Sequence, residues 1–152
     1  MEVKKVLEQE KVFQFDTFNH DLALKITQKI NELVKAKYDK PVGVKIFYQN
    51  LTVVHFLMNG RKESPWLDRK VKTVLDSGHS SLYVYVSNEI NGNFSEWLED
   101  PKYAICGGGF PIIEKGVLKG AICVSGLHHL EDHEVIIAAL AEIMNKSVNI
   151  AN

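Results

Sequence analysis

The chain has 152 residues, 45% hydrophobic and 24% charged, which is typical of one folded domain and excludes a disordered or fibrous protein. Its 18 Lys and Arg residues against 19 Asp and Glu residues give a net charge of −1, without the basic excess of a nucleic-acid-binding protein. No apolar segment approaches the ~20 residues that span a membrane, and the charged first fifteen residues do not resemble a signal peptide. We therefore expect one cytoplasmic domain over residues 1–152, with a core at about 15–146, that binds neither nucleic acid nor membranes.

The first half of the chain predicts two helices followed by a β-hairpin. A short helix is expected over residues 2–11. A longer amphipathic helix follows the capping residues Asp16, Thr17 and Asn19 and ends before Pro41. Period-two alternation then predicts strands over residues 42–48 and 52–58.

The second half of the chain predicts three strands between helices. Ser64 and Pro65 are typical of a helix start, and Gly78 of a helix end. The expected elements are a helix at 65–78, strands at 81–87, 103–113 and 117–124, a helical turn at 93–98, and a helix at 130–148. Consecutive hairpins favour an antiparallel sheet over a parallel one. The predicted class is α+β, a single domain with about five antiparallel strands flanked by helices.

A pair of histidines and one single histidine could bind a metal or a cofactor. His129 and His133 are four residues apart, but no third or fourth ligand accompanies them, so we predict no metal site. His55 shares a strand face with Val53 and Leu57. It is either a hydrogen-bonded core residue or, if that face lines a pocket, an axial ligand or a proton carrier.

A basic run lies at the start of the third predicted helix. Five cationic residues occur within twelve positions: Arg61, Lys62, Arg69, Lys70 and Lys72. Arg69 could bind a carboxylate or phosphate through two parallel hydrogen bonds. The alternative is a solvated helix face, which an Asp68–Lys72 pair at i,i+4 spacing would favour.

Six of the ten glycines lie between residues 107 and 126. Three consecutive glycines interrupt a predicted strand, where glycine indicates a bulge or the close approach of another group. At least one of Gly108, Gly109 and Gly126 is expected to have a positive φ. The spacing matches neither a dinucleotide-binding motif nor a P-loop, and no catalytic constellation is identifiable. Cys106 and Cys123 are expected to be free buried thiols.

The same segment resembles a known family. The resemblance rests on GGFPI at residues 108–112, Gly116, GAICVSG at 120–126, and Asp132. This pattern is similar to the signature of the GlcG/HbpS-like family, also called the haem-degrading domain, which resembles the C-terminal part of PduO-type proteins. WLDRK at residues 66–70 resembles one branch of that family. The chain departs from the pattern at Cys123, where the family usually has glycine, and at residues 127–129.

The resemblance implies a profilin-like fold, a homo-oligomer, and haem or another tetrapyrrole as the ligand. An alternative function is a non-catalytic assembly or adaptor subunit that binds a protein partner. Whether any catalysis occurs is left open. The ligand-binding candidates are His55, Arg69, Gly108, Gly109, Ser125, Gly126 and Asp132.

Overall fold

The computed structural model describes residues 2–148. Met1 and residues 149–152, which belong to the expected domain range, lie outside the described residues. The elements in chain order are α1 (Val3–Val12), α2 (His20–Lys37), β1 (Gly43–Tyr48), β2 (Leu51–Leu57), α3 (Trp66–Ser77), α4 (Ser81–Asn91), a 3-10 turn (Ser95–Trp97), β3 (Gly109–Glu114), β4 (Val117–Ser125) and α5 (His129–Met144). In this part of the chain, no helix has the length and hydropathy needed to cross a membrane.

The four strands form one sheet in the order β2-β1-β4-β3, and every pairing is antiparallel. The predicted α+β class and the antiparallel sheet are confirmed, with four strands where about five were expected. Alternate residues of β1, such as Val44 and Ile46, pack in the main core with residues of α2 and α5. The opposite face of the sheet contributes Ala121 and Cys123 to a smaller cluster with α3. The sheet therefore has helices on both faces.

The strand predicted over residues 81–87 is wrong, because this segment forms α4. The side chain of Ser80 caps the helix by accepting a hydrogen bond from the backbone N–H of Tyr83, and Gly92 ends it in a left-handed conformation. Leu82 and Val86, one helical turn apart, pack against Val6 of α1. The helix is buried on more than one side, so its apolar residues imitate the alternation of a strand.

The strand predicted over residues 103–113 begins only at Gly109. Upstream of it, backbone N–H groups bond to side chains: Ala104 donates to Thr73 Oγ1 at 2.9 Å, and Gly107 donates to His129 Nδ1 at 2.9 Å. The segment before β3 is thereby joined to α3 and α5. The predicted helix end at residue 148 is also too late, since α5 ends at Met144 and Asn145 is left-handed.

Candidate functional site

A buried ion pair connects α3 to the start of α5. Lys70 and Asp132 each have a relative exposure of 2%. Lys70 Nζ donates to Asp132 Oδ2 at 3.2 Å and to the backbone oxygen of Val124 at 2.8 Å. Asp132 Oδ1 accepts from the backbone N–H of Leu127 at 3.0 Å. Burial raises the pKa of Asp132, and the charge of Lys70 opposes that rise.

The glycines of the family motif make room for this ion pair. Gly108 has a φ of +118°, and a Cβ there would lie 2.5 Å from both Lys70 Nζ and the oxygen of Val124. Gly126 has a φ of +147°, and its Cβ would lie 2.6 Å from the oxygen of Pro41. The prediction of a positive φ among these glycines is confirmed, and both positions also exclude larger residues on steric grounds.

A pocket of about 280 Å³ opens beside the ion pair, between α3 and the turn that joins β4 to α5. We call it the α3–α5 pocket. Besides the ion pair, its wall includes Arg61, Trp66, Cys106, Ser125, Gly126, Leu127 and His129. Arg61 Nη2 donates to Ser125 Oγ at 3.2 Å. The pocket thus combines two cationic side chains with one carboxylate.

The wall of the α3–α5 pocket is rich in hydrogen-bond donors. Lys70 carries three Nζ protons, and two protein acceptors contact it within the described residues. The Lys70–Asp132 pair is neutral overall, so the positive charge of Arg61 is uncompensated there. Such an arrangement can bind a carboxylate or a phosphate oxygen.

The start of α5 is not itself the anion site. The ring of His128 accepts from the N–H of Leu130, and the side chain of Glu131 accepts from the N–H of His128. This capping box occupies first-turn donors, and the acidic side chain offsets the helix dipole. The anion-binding character of the pocket therefore comes from side chains of other elements.

His129 and Cys106 do not fit as axial ligands of haem iron in this arrangement. His129 Nδ1 accepts a hydrogen bond from Gly107, so the proton of the neutral ring lies on Nε2. Metal-bound histidines normally show the reverse pattern, with the second nitrogen donating. Burial lowers the pKa of His129 and raises the pKa of the Cys106 thiol, which keeps both groups uncharged.

Of the candidates from the sequence, Ser125, Gly126 and Asp132 line the α3–α5 pocket. Gly108 packs directly against Lys70, whereas Gly109 lies deeper, where its N–H donates to Ser81 Oγ at 2.9 Å. Three of these residues therefore line the pocket, and Gly108 and Gly109 pack next to it.

Arg69 and His55 are placed differently. Arg69 Nε donates to the oxygen of Tyr103 at 2.8 Å, and its guanidinium stacks 4.2 Å from the ring centre of Trp66, so it supports the pocket from outside. His55 is exposed on the edge strand β2, opposite Lys45. The expectation that it is a core residue is wrong, because β2 is covered less than the central strands.

The solvated basic face expected on α3 is only partly present. Asp68 pairs with Lys45, and Lys72 pairs with Asp76 at 3.0 Å. The Asp68–Lys72 pair that the i,i+4 spacing allows is therefore not formed. Lys70 is buried rather than solvated. It lies three residues after Leu67 and four before Val74, on the buried stripe of α3, and this spacing was the signal that could have identified it.

Comparisons with known sequences identify the family of this chain. The model of the haem-degrading HbpS-like protein family matches residues 18–141. A UPF0303 protein of Psychromonas ingrahamii is 34% identical over 149 residues, which cover 94% of this chain and 92% of the relative. A UPF0303 protein of Zymomonas mobilis is 33% identical over 145 residues, covering 92% of this chain and 78% of the relative.

Solved structures share the fold. The Ybr137w protein superposes with a TM-score of 0.85 at 26% identity, over 98% of this chain and 91% of the other. A complex of PduOC with haem has a TM-score of 0.67 at 21% identity, over 82% of this chain and 93% of the other, and shows similarity of fold alone. From the match of its central 18–141 segment, the chain belongs to the HbpS-like haem-degrading family.

Proposed function

We propose that this protein is a binding domain for a carboxylate-bearing ligand of the tetrapyrrole class, whose carboxylate enters the α3–α5 pocket. The observation that carries the proposal is the uncompensated Arg61 beside the buried Lys70–Asp132 pair. The family model is named for haem degradation, and one structural neighbour is a haem complex. Haem carries propionate groups, which are carboxylates of the kind this pocket suits.

The α3–α5 pocket is large enough for only one part of such a ligand. About 280 Å³ accommodates a propionate arm, but a whole macrocycle would fill a much larger cavity. The ring would therefore lie outside, against Trp66, which is 42% exposed at the edge of the pocket. Stacking of Arg69 on Trp66 holds the indole in place for this contact. The iron receives no ligand from the pocket in this proposal.

Titration with haemin, followed by the Soret band and by tryptophan fluorescence, tests the proposal. Replacing Arg61 by Gln should weaken saturable binding by about tenfold, because a charge-assisted contact to the carboxylate is lost. Lys25→Gln, on the exposed side of α2, removes the same charge far from the motif and should bind as the unmodified protein does.

The variant His55→Ala tests whether the ligand binds at the edge of the sheet instead of in the α3–α5 pocket. His55 remains a candidate axial ligand because its ring is exposed. If His55→Ala abolishes the Soret shift while Arg61→Gln leaves it unchanged, the proposed location in the α3–α5 pocket is wrong. Non-saturating shifts that neither variant alters would contradict specific binding altogether.

An assembly or adaptor role is the second candidate function, and the open edge of β2 favours it. This seven-residue strand pairs only with β1 among the described residues, and an unpaired edge can accept another strand. We propose that the chain forms a homo-oligomer and that a protein partner is an alternative occupant. Light scattering that gives a mass near the 17.2 kDa of one chain at micromolar concentration would contradict the homo-oligomer.

A further inference from the structure

A second concave surface adjoins the α3–α5 pocket. It has a volume of about 310 Å³ and is lined by Lys40, Pro41, Gly60, Arg61, Lys62 and Gly126. We call it the lysine groove. Arg61 and Gly126 line both concavities. Since Gly126 has no side chain, it places no side-chain barrier between the two.

The lysine groove is strongly cationic. Its wall carries Lys40, Arg61 and Lys62 and no acidic side chain. Within residues 2–148, none of these three forms an ion pair. Over both concavities, four cationic side chains face the single carboxylate of Asp132, in a protein whose net charge is −1. This concentration of positive charge favours anions over neutral ligands.

Arg61 is placed to serve both concavities. Its backbone N–H donates to the oxygen of Met58 at 2.9 Å, which fixes the turn after β2. Within the described residues, the Arg61 side chain forms one hydrogen bond, from Nη2 to Ser125 Oγ, so its remaining guanidinium donors are available. A planar guanidinium can bind one carboxylate on each of two edges.

We propose that the lysine groove is a second anion subsite and that the preferred ligand is a dicarboxylate bridging the two concavities across Arg61. One carboxylate contacts Arg61 and Lys70 in the α3–α5 pocket. The other contacts Lys40 and Lys62 in the groove. This inference rests on the proposed function, which itself requires only one carboxylate. The two propionates of a tetrapyrrole supply the two carboxylates of the bridging ligand.

The test compares haemin with its monomethyl and dimethyl esters, each titrated by tryptophan fluorescence in the same detergent. The diacid should bind about fivefold to tenfold more tightly than the monoester, and the diester should bind most weakly. In the double variant Lys40→Gln/Lys62→Gln, the diacid should fall to the affinity of the monoester, whose own binding should change little. The control Lys4→Gln/Lys25→Gln removes the same charge from exposed positions of α1 and α2 and should retain the preference.

The outcomes separate the two proposals. If the diacid and the monoester bind equally and only the diester is weak, the second subsite is wrong and the one-carboxylate site stands. If all three bind equally and Arg61→Gln has no effect, the proposed function itself is wrong. If the control double variant loses the preference as well, the effect is general charge attraction and the second subsite is wrong.

Discussion

Lys70 Nζ lies 3.2 Å from Asp132 Oδ2, and the two side chains are almost completely removed from solvent. An ion pair in such a position costs desolvation energy that its attraction scarcely recovers, so it is a weak source of stability. Here it also positions a lysine with an available donor at the wall of the α3–α5 pocket. We interpret the pair as part of the binding site, held in place by the fold.

Removing one member of this pair should be strongly destabilising. Lys70→Met leaves the Asp132 carboxylate buried without its cation, and we expect the free energy of unfolding to fall by about 3–5 kcal/mol. Urea denaturation measures it. The double variant Lys70→Met/Asp132→Leu should recover much of that loss, since no charge stays buried. A loss below about 1 kcal/mol for the single variant would show that the pair is solvated.

Gly108 should tolerate no side chain. In Gly108→Ala the new Cβ meets Lys70 Nζ and the oxygen of Val124, in addition to the strain of a positive φ. Gly116→Ala is the matched control, because it has a φ of +77° and no heavy atom within 4 Å of its Cβ. We expect the control to cost about 1 kcal/mol and Gly108→Ala at least about 2 kcal/mol more in urea denaturation. Equal losses would mean that the glycine is needed for its backbone conformation only.

Gly126→Val should likewise be clearly destabilising. The substituted Cβ would lie 2.6 Å from the oxygen of Pro41 and 3.0 Å from the Cα of Val42. The backbone at both contacts immediately precedes β1, and the oxygen of Val42 accepts a hydrogen bond from the N–H of Met58, so this backbone cannot move without disturbing the sheet. A loss of less than about 0.5 kcal/mol would indicate an ordinary turn.

Regular amphipathic patterns made most of the fold predictable. The helix after Asn19 buries one face, and β1 buries Val44, Ile46 and Tyr48 at alternate positions, so the spacing of apolar residues identifies both elements. α4 lacks that contrast, because α1 covers it and Val84 is buried together with Leu82 and Val86. The sequence pattern alone therefore does not identify this segment as a helix.

The candidate site was predictable only where the family motif reaches it. Ser125, Gly126 and Asp132 lie within or just after the glycine-rich block. Arg61 is 64 residues from Ser125, and no local spacing predicts their hydrogen bond. A solvated face is one interpretation of the basic run because charged residues are rarely buried, whereas the burial of Lys70 requires a partner from a distant helix.

His133 should make the fold sensitive to acid. Burial lowers its pKa to about 4, and its Nε2 contacts Gln9 Oε1 of α1 at 2.6 Å. Between about pH 4 and pH 6.5, the unfolded chain, with an ordinary histidine pKa near 6.5, therefore binds a proton at this residue and the folded chain does not. The stability contributed by neutral His133 is complete above about pH 6.5 and is lost as the pH falls towards 4.

The measurement is urea denaturation at pH 7.5 and pH 5.0. We expect His133→Gln, which retains a donor for Gln9, to lose about 2 kcal/mol less than the unmodified protein over this interval. His20→Gln, at the exposed start of α2, is the control for the loss of a histidine outside the core. Identical pH dependence in all three proteins would show that His133 does not titrate on unfolding in this range.

The ligand preference of the α3–α5 pocket should not depend on iron. The His129 ring accepts from Gly107 through Nδ1, and burial raises the pKa of the Cys106 thiol, so neither group offers a free electron pair suited to an axial bond. Metal-free protoporphyrin IX, which keeps both propionates, should therefore bind within about threefold of haemin, a difference below about 1 kcal/mol. Quenching of tryptophan fluorescence measures both affinities without relying on the Soret band. Binding of haemin more than about tenfold tighter than protoporphyrin IX, lost in His129→Ala, would mean that the ring turns to coordinate the iron.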